Sequence, residues 1–218
     1  MTRPAFSPPL AIATAGGLAL VITVAAYLGH GGWTYEGAAA AARLTARNSF
    51  TWFLAAWSAS ALARLWPGAW RAALLRRRRS VGLGFAAAHT VHLAALLTAI
   101  FVFGHGARLT TVIGGGIGYL FVLAMAVTSN DAAVRRLGPR RWHLLHATGG
   151  YVIAGIFAFS YFGRIAVDPI VGVPMTALIV GAATLRILAW IRKRAKKRAM
   201  AAQGPLVAQA LSAERSAR

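Results

Sequence analysis

The sequence predicts an all-α integral membrane protein, a six-helix bundle with both termini cytoplasmic, and three observations carry that expectation. Of the 218 residues, 58% are hydrophobic and only 13% are charged. A soluble domain is nearer half apolar and a quarter charged, so too little charge is present here to cover a water-facing surface. Apolar runs of about twenty residues recur along the whole chain, the length that crosses a bilayer as a helix. Basic residues fall in clusters between those runs, at Arg76 to Arg79, at Arg135, Arg136, Arg140 and Arg141, and from Arg192 to Arg198.

The apolar runs place spans at 10–29, 49–67, 81–103, 111–128, 142–162 and 170–191. Punctuation frames them: Pro8-Pro9 before the first, Trp66-Pro67-Gly68 after the second, Gly104-His105-Gly106 after the third and Gly138-Pro139 before the fifth. The first run is too long and too weakly basic at its amino end for a cleaved secretory signal, and more spans follow it. Arg64 and Arg186 fall inside spans. Of the other basic residues, Arg43, Arg47, Arg108 and Arg164 lie on one side and the remainder, including Arg3 and Arg71, on the other, an asymmetry that puts both termini in the cytoplasm. Residues 1–198 then form one transmembrane domain and 199–218 a cytoplasmic tail, read as a frayed interfacial helix.

Composition excludes several classes of function. A formal charge of +20 in a soluble protein would point to nucleic acid, but clusters at helix ends are the positive-inside pattern, with anionic lipids as counter-charge and no nucleic-acid partner. The six spans leave no stretch long enough for a soluble catalytic domain of about 100 residues. With no Cys, structural disulfides, zinc–thiolate sites and iron–sulfur clusters are ruled out within the chain.

Chemistry is left to the six histidines. His30 and His105 lie in glycine-rich turns at the outer surface. His89 and His92 lie within the third span, and His143 and His146 near the cytoplasmic end of the fifth. Ionisable groups inside a membrane are costly and as a rule serve a site; two helices, each with His at i and i+3, point to a shared one. The acids Glu36, Asp131, Asp168 and Glu214 all lie outside the spans, which removes di-iron carboxylate clusters and acid-based proton relays. Zinc stays open but usually takes four ligands. Two imidazoles from facing helices suit a six-coordinate haem b, and Gly82, Gly84, Ala86 to Ala88, Ala147, Gly149 and Gly150 are small enough to admit a macrocycle or simply to pack helices. Gly114-Gly115-Gly116-Ile117-Gly118 has no preceding strand and reads as helix packing rather than a nucleotide loop. Trp33, Trp52, Trp57, Trp66, Trp70 and Trp142 read as interfacial belts.

From Thr45 to Arg164 the chain resembles the ferric reductase-like transmembrane domain family, and especially its bacterial branch, the haem-binding membrane subunit of the methionine-sulfoxide reductase system. The likeness rests on Thr45-Ala46-Arg47, Phe53-Leu54-Ala55 and Leu62-Ala63-Arg64. It continues in Arg78-Arg79-Ser80-Val81-Gly82-Leu83 with His92 ten residues after Gly82, in Thr128-Ser129-Asn130, in Arg136-Leu137-Gly138 and in Trp142-His143-Leu144-Leu145-His146. The resemblance implies one haem b whose iron is held by His92 and His146. Depth counted from the outer helix ends puts His92 at about 18 Å, His89 at about 22 Å and His146 at about 25 Å, so His89 is held as the alternative ligand or a supporting partner. His143 is expected at the surface or on a haem propionate. The family's second fifth-span His, thirteen residues on, is Phe159 here, so a second, outer haem is not expected.

The function so implied is a membrane electron-transfer subunit of the bacterial inner membrane. It lacks its own flavin or nicotinamide domain, so a flavoprotein carrying FMN or FAD, or a membrane quinol, must donate. A ferric chelate or a periplasmic reductase would accept. The alternative is a redox-inactive scaffold or assembly subunit of the same fold, for which the absence of His at 159 speaks. A small transporter is disfavoured because no intramembrane acid or broken half-helix pair appears.

Overall fold

The structure, a computed structural model, describes the backbone of residues 7–107 and 109–216, with side chains as far as Gln203 apart from Ala202. Arg3, Arg108 and the Glu214 side chain, which entered the sidedness and acid counts, lie outside what is described. Within it every regular element is helical. The order is α1 (Pro8–Gly29), α2 (Tyr35–Leu65), α3 (Ala69–Arg76), α4 (Arg78–Leu97) prolonged by a π-turn at Thr98–Val102, α5 (Leu109–Val127), α6 (Asp131–Leu137), α7 (Pro139–Arg164) and α8 (Pro169–Ser216).

Local chemistry sets these boundaries. Proline stands at the start of α1 and α7, where its missing N–H costs no helix bond. Thr34 caps α2 by accepting from the Gly37 N–H at 3.2 Å, and Asn130 caps α6 by accepting from the Ala133 N–H at 2.8 Å. Between α6 and α7 the chain turns at Gly138 with φ of 76°, a conformation that a Cβ would strain.

Five helices are long and apolar enough to cross a membrane: α1, α4 with its π-turn, α5, α7 and α8 as far as Ala201. Their outward faces carry unburied Leu, Val and Ile, as at Leu20, Val24, Leu120, Leu123 and Ile187, which a lipid environment accommodates. The second expected span lies within α2, which is not among the five. At 31 residues α2 is longer than all but α8, but it is rich in Ala, Ser, Thr and Arg and much of it is buried against other helices. Its outer half packs on α1 and α4 through small residues, with Ala26, Ala40, Ala41, Ala42 and Ala95 in one cluster. Its inner half packs on α7 and α8 through Phe50, Phe53, Trp57, Ile153, Phe157, Tyr161 and Ile179.

The helix ends are not level. At the outer end of α2, the Tyr35 hydroxyl meets His105, just beyond α4. The turn between α7 and α8 meets α2 at Arg47, which lies 3.7 Å from Asp168. Arg47 is twelve residues from Tyr35, roughly 18 Å along the axis. The α7–α8 pair is therefore set inward relative to α1, α2 and α4.

Several expectations change here. Gly84 packs against α1 and Trp52, with Ala11 O and a Trp52 ring carbon each 3.1 Å from where its Cβ would lie, and Gly150 packs against Trp57. Those small residues join helices. Gly114, Gly115 and Gly116 face open space, and of that run Gly118 alone packs, against Ile156. Trp57 is buried at the core and not in an interfacial belt, whereas Trp33, Trp66 and Trp70 are exposed. The tail is not a separate element, since α8 continues through it to Ser216.

Candidate functional site: two histidine levels

His89 and His92 sit on the α4 face that meets α2. Ser49 Oγ donates to the Ala46 carbonyl at 2.9 Å and lies 2.9 Å from His89 Nδ1. Thr45 Oγ1 donates to the Ala41 carbonyl at 2.6 Å and lies 3.3 Å from His92 Nδ1. In the tautomer where each hydroxyl keeps its proton on its own helix carbonyl, the imidazole donates through Nδ1–H and Nε2 carries the lone pair, the arrangement in which a metal-bound histidine is oriented by a supporting acceptor. Ser49 and Thr45 are both buried. They went unremarked in the sequence as partners, although Thr45 and Ser49 stand four apart and so share one helix face.

Aromatic rings close around His89. Tyr119 of α5 stacks on it at 4.7 Å between centroids and donates its hydroxyl to the His89 carbonyl at 3.2 Å. Phe85 lies at 5.1 Å, Phe157 of α7 stands edge-on at 5.8 Å, and His92 is 5.1 Å away.

His146 occupies another level. Its Nε2 lies 3.1 Å from Thr128 Oγ1, which donates to the Ala124 carbonyl at 2.6 Å. Trp142 stacks on it at 4.1 Å and donates its indole N–H to the Thr128 carbonyl at 2.8 Å. This level adjoins a basic cluster, where Arg79 reaches Asp131 at 2.7 Å. Hydrogen bonding to Arg79, then its charge, holds the Asp131 carboxyl below the usual carboxylate range. His143, one helical turn before His146, is exposed.

The separation follows from two independent markers. Phe157, in ring contact with His89, is eleven residues beyond His146 on α7, or roughly 16 Å of helix. Tyr119, stacked on His89, is nine residues before Thr128 on α5, roughly 14 Å. Two imidazole nitrogens on one metal stand about 4 Å apart, twice a bond of about 2 Å. The structure therefore brings neither His92 nor His89 together with His146. The depth count assumed a common outer plane for α4 and α7, and the inward set of α7 removes it.

The outer end of α7 offers no replacement. Position 159 does not face the bundle: Phe159 is 75% exposed. The inward stripe runs instead through Phe157 and Tyr161, whose rings pack on Phe50 at 5.0 and 4.8 Å. His105, beyond α4, pairs with Tyr35, and His30 has its Nδ1 2.9 Å from the Ala26 carbonyl. No cluster of three or more His, Cys, Asp or Glu capable of holding a metal occurs among the described residues.

In comparisons with known proteins, no family model, no curated protein and no solved structure matches this chain.

Proposed function

We propose that the chain is a multi-pass protein of the bacterial inner membrane that takes part in transmembrane electron transfer and holds haem b from α4. The observation that carries this reading is the pair of histidines on α4 whose Nδ1 atoms lie on buried hydroxyls of α2, His89 on Ser49 and His92 on Thr45. Burying two imidazoles in that orientation between membrane helices has no use in packing that an apolar residue would not serve better. His92 would hold the haem iron, Thr45 would orient its ring, and His89 would brace it within the cage of Phe85, Tyr119 and Phe157. A haem b bound there would supply one-electron chemistry. His146 lies too far from His89 and His92 to share in holding it. The resemblance of residues 45–164 to the ferric reductase-like family supports the same class of function.

In this reading α2 crosses the bilayer as a sixth helix, and the basic clusters set both termini in the cytoplasm. A flavoprotein or quinol donates, and a ferric chelate or partner reductase accepts. A second reading, a redox-inactive scaffold of the same fold, is favoured by the separation of the two levels and by the aromatic filling around His89.

A reduced-minus-oxidised absorption spectrum of the purified protein, expressed with haem in excess, separates the two. A b-type signal lost in His92→Ala and retained in His146→Ala supports haem held from α4. A folded protein without haem leaves the scaffold.

A further inference from the structure

Arg186 lies on the apolar part of α8, six residues before the basic Arg192–Arg198 segment, and among the described residues it forms no ion pair. Among the described residues Asp131 pairs with Arg79, and Asp168 with Arg47 and Arg164. The guanidinium donates from Nη1 to the Trp57 carbonyl at 2.7 Å and from Nη2 to the Tyr151 hydroxyl at 3.3 Å. It lies over the Trp57 ring at 4.7 Å and the Tyr151 ring at 5.1 Å. Its Nε–H is buried with no partner, as is the Trp57 indole N–H. Aromatic faces and neutral acceptors offset part of a buried charge, but an unpaired cation inside a bilayer remains costly. A second guanidinium, Arg78, sits on the adjacent α2 carbonyl, Ala56 O, at 3.1 Å, which adds to the positive potential.

Arg186 also lines a cavity of about 470 Å³ between α2, α7 and α8, walled by apolar groups including Ala154, Gly155, Ala158, Val180 and Trp190. Its volume is within the range of small-molecule sites. Toward the basic end of α8, Arg194 lies over the Trp190 ring at 4.0 Å, and Arg192 donates to the Leu65 carbonyl at 2.9 Å. Arg192 is six residues past Arg186, roughly 9 Å along the helix. An apolar chamber with a buried cation inside and further cations at one end matches an anionic head carried on an acyl chain.

We propose that this cavity is a binding site for one anionic phospholipid of the leaflet that holds the Arg192–Arg198 segment, with its phosphate on Arg186 and its upper acyl carbons between α7 and α8. Guanidinium forks suit phosphate oxygens, and the Nη groups that meet Trp57 and Tyr151 are the donors a phosphate in the cavity takes up.

The test is native mass spectrometry of the full chain released from detergent, titrated with phosphatidylglycerol or with phosphatidylcholine of the same acyl chains. The wild type is expected to hold one phosphatidylglycerol in preference to phosphatidylcholine. Arg186→Gln should lower that preference about tenfold or more, the scale of a lost charged hydrogen bond. Gly155→Leu projects into open space in the cavity and should displace the lipid with Arg186 intact, so it decides the matter if Arg186→Gln does not fold. Arg135→Gln, on the exposed face of α6, should leave the preference unchanged. Unaltered preference in Arg186→Gln or in Gly155→Leu overturns the site, and full displacement by oleate would assign it to fatty carboxylates instead of phosphate.

Discussion

The two histidine levels contain the same residue type on neighbouring helices, yet they are built in opposite ways. At the α4 level the rings meet buried hydroxyls through Nδ1. At the α7 level the ring meets Thr128 through Nε2 and lies under Trp142, half-exposed beside the basic cluster. A histidine in an apolar run is thus only half specified by its depth. Which nitrogen its neighbour takes decides whether the other can meet a ligand.

The difference can be broken or sharpened by substitution. Gly84→Val should have the largest effect, because a side chain there meets the α1 backbone and Trp52 and pushes α4 away from α1. Overpacking of this kind costs about 1–3 kcal/mol, and we expect a clear drop in thermal midpoint in detergent, followed by helix circular dichroism. His146 should keep its environment in that variant, which the Trp142 near-ultraviolet signal reports.

Ser49→Ala and Thr45→Val come next. Each leaves a buried imidazole N–H without an acceptor, at about 1–2 kcal/mol. An unfolding titration that shows no loss for either would mean that the rings are not donors and that Nε2 is not held free. Thr128→Val should cost less, about 0.6 kcal/mol or below, since the half-exposed His146 ring can turn to water. Equal losses at the two levels would erase the contrast.

The smallest effect concerns pH. The Asp131 pKa is depressed in the folded protein, so the stabilisation of the α4–α6 tie is present above the ordinary carboxylate range. It is lost as pH falls through the depressed Asp131 value. Proteolysis of the α6 segment should quicken on acidification in the wild type, and Asp131→Asn should show the faster rate already at neutral pH.

Much of the fold was legible because helix ends are marked chemically. Pro8-Pro9, Gly104 and Gly138-Pro139 stand within a few residues of observed boundaries. The outer half of α2 was not legible. Residues 35–48 carry Arg43, Arg47 and Asn48, so they read as a loop, and only the packing of Ala38 to Ala42 against neighbours explains a helix there. Neither short helix was read from the sequence, although Asn130 stands where its side chain caps α6. For the site, the choice of His89, His92 and His146 as intramembrane groups needed only hydropathy. Their relative height needed the stagger of α7, which is set by Arg47, Asp168, Phe50 and Tyr161 meeting across the chain and leaves no local trace in any single helix.

That α2 presents Ala, Ser, Thr and three Arg to its surroundings also bears on how the protein is made. A segment of that composition gains little from hydrocarbon when it leaves the insertion machinery alone, and each central Arg opposes its entry. Its partners α4, α7 and α8 are synthesised later, so if α2 crosses the bilayer as proposed, it would first have only the hairpin with α1, closed by the Gly31–Gly32 turn and the Tyr27–Trp33 stack, to hold it. The order of synthesis thus makes the least lipid-compatible helix wait for most of its neighbours, and the α1–α2 hairpin is the element that bridges the delay.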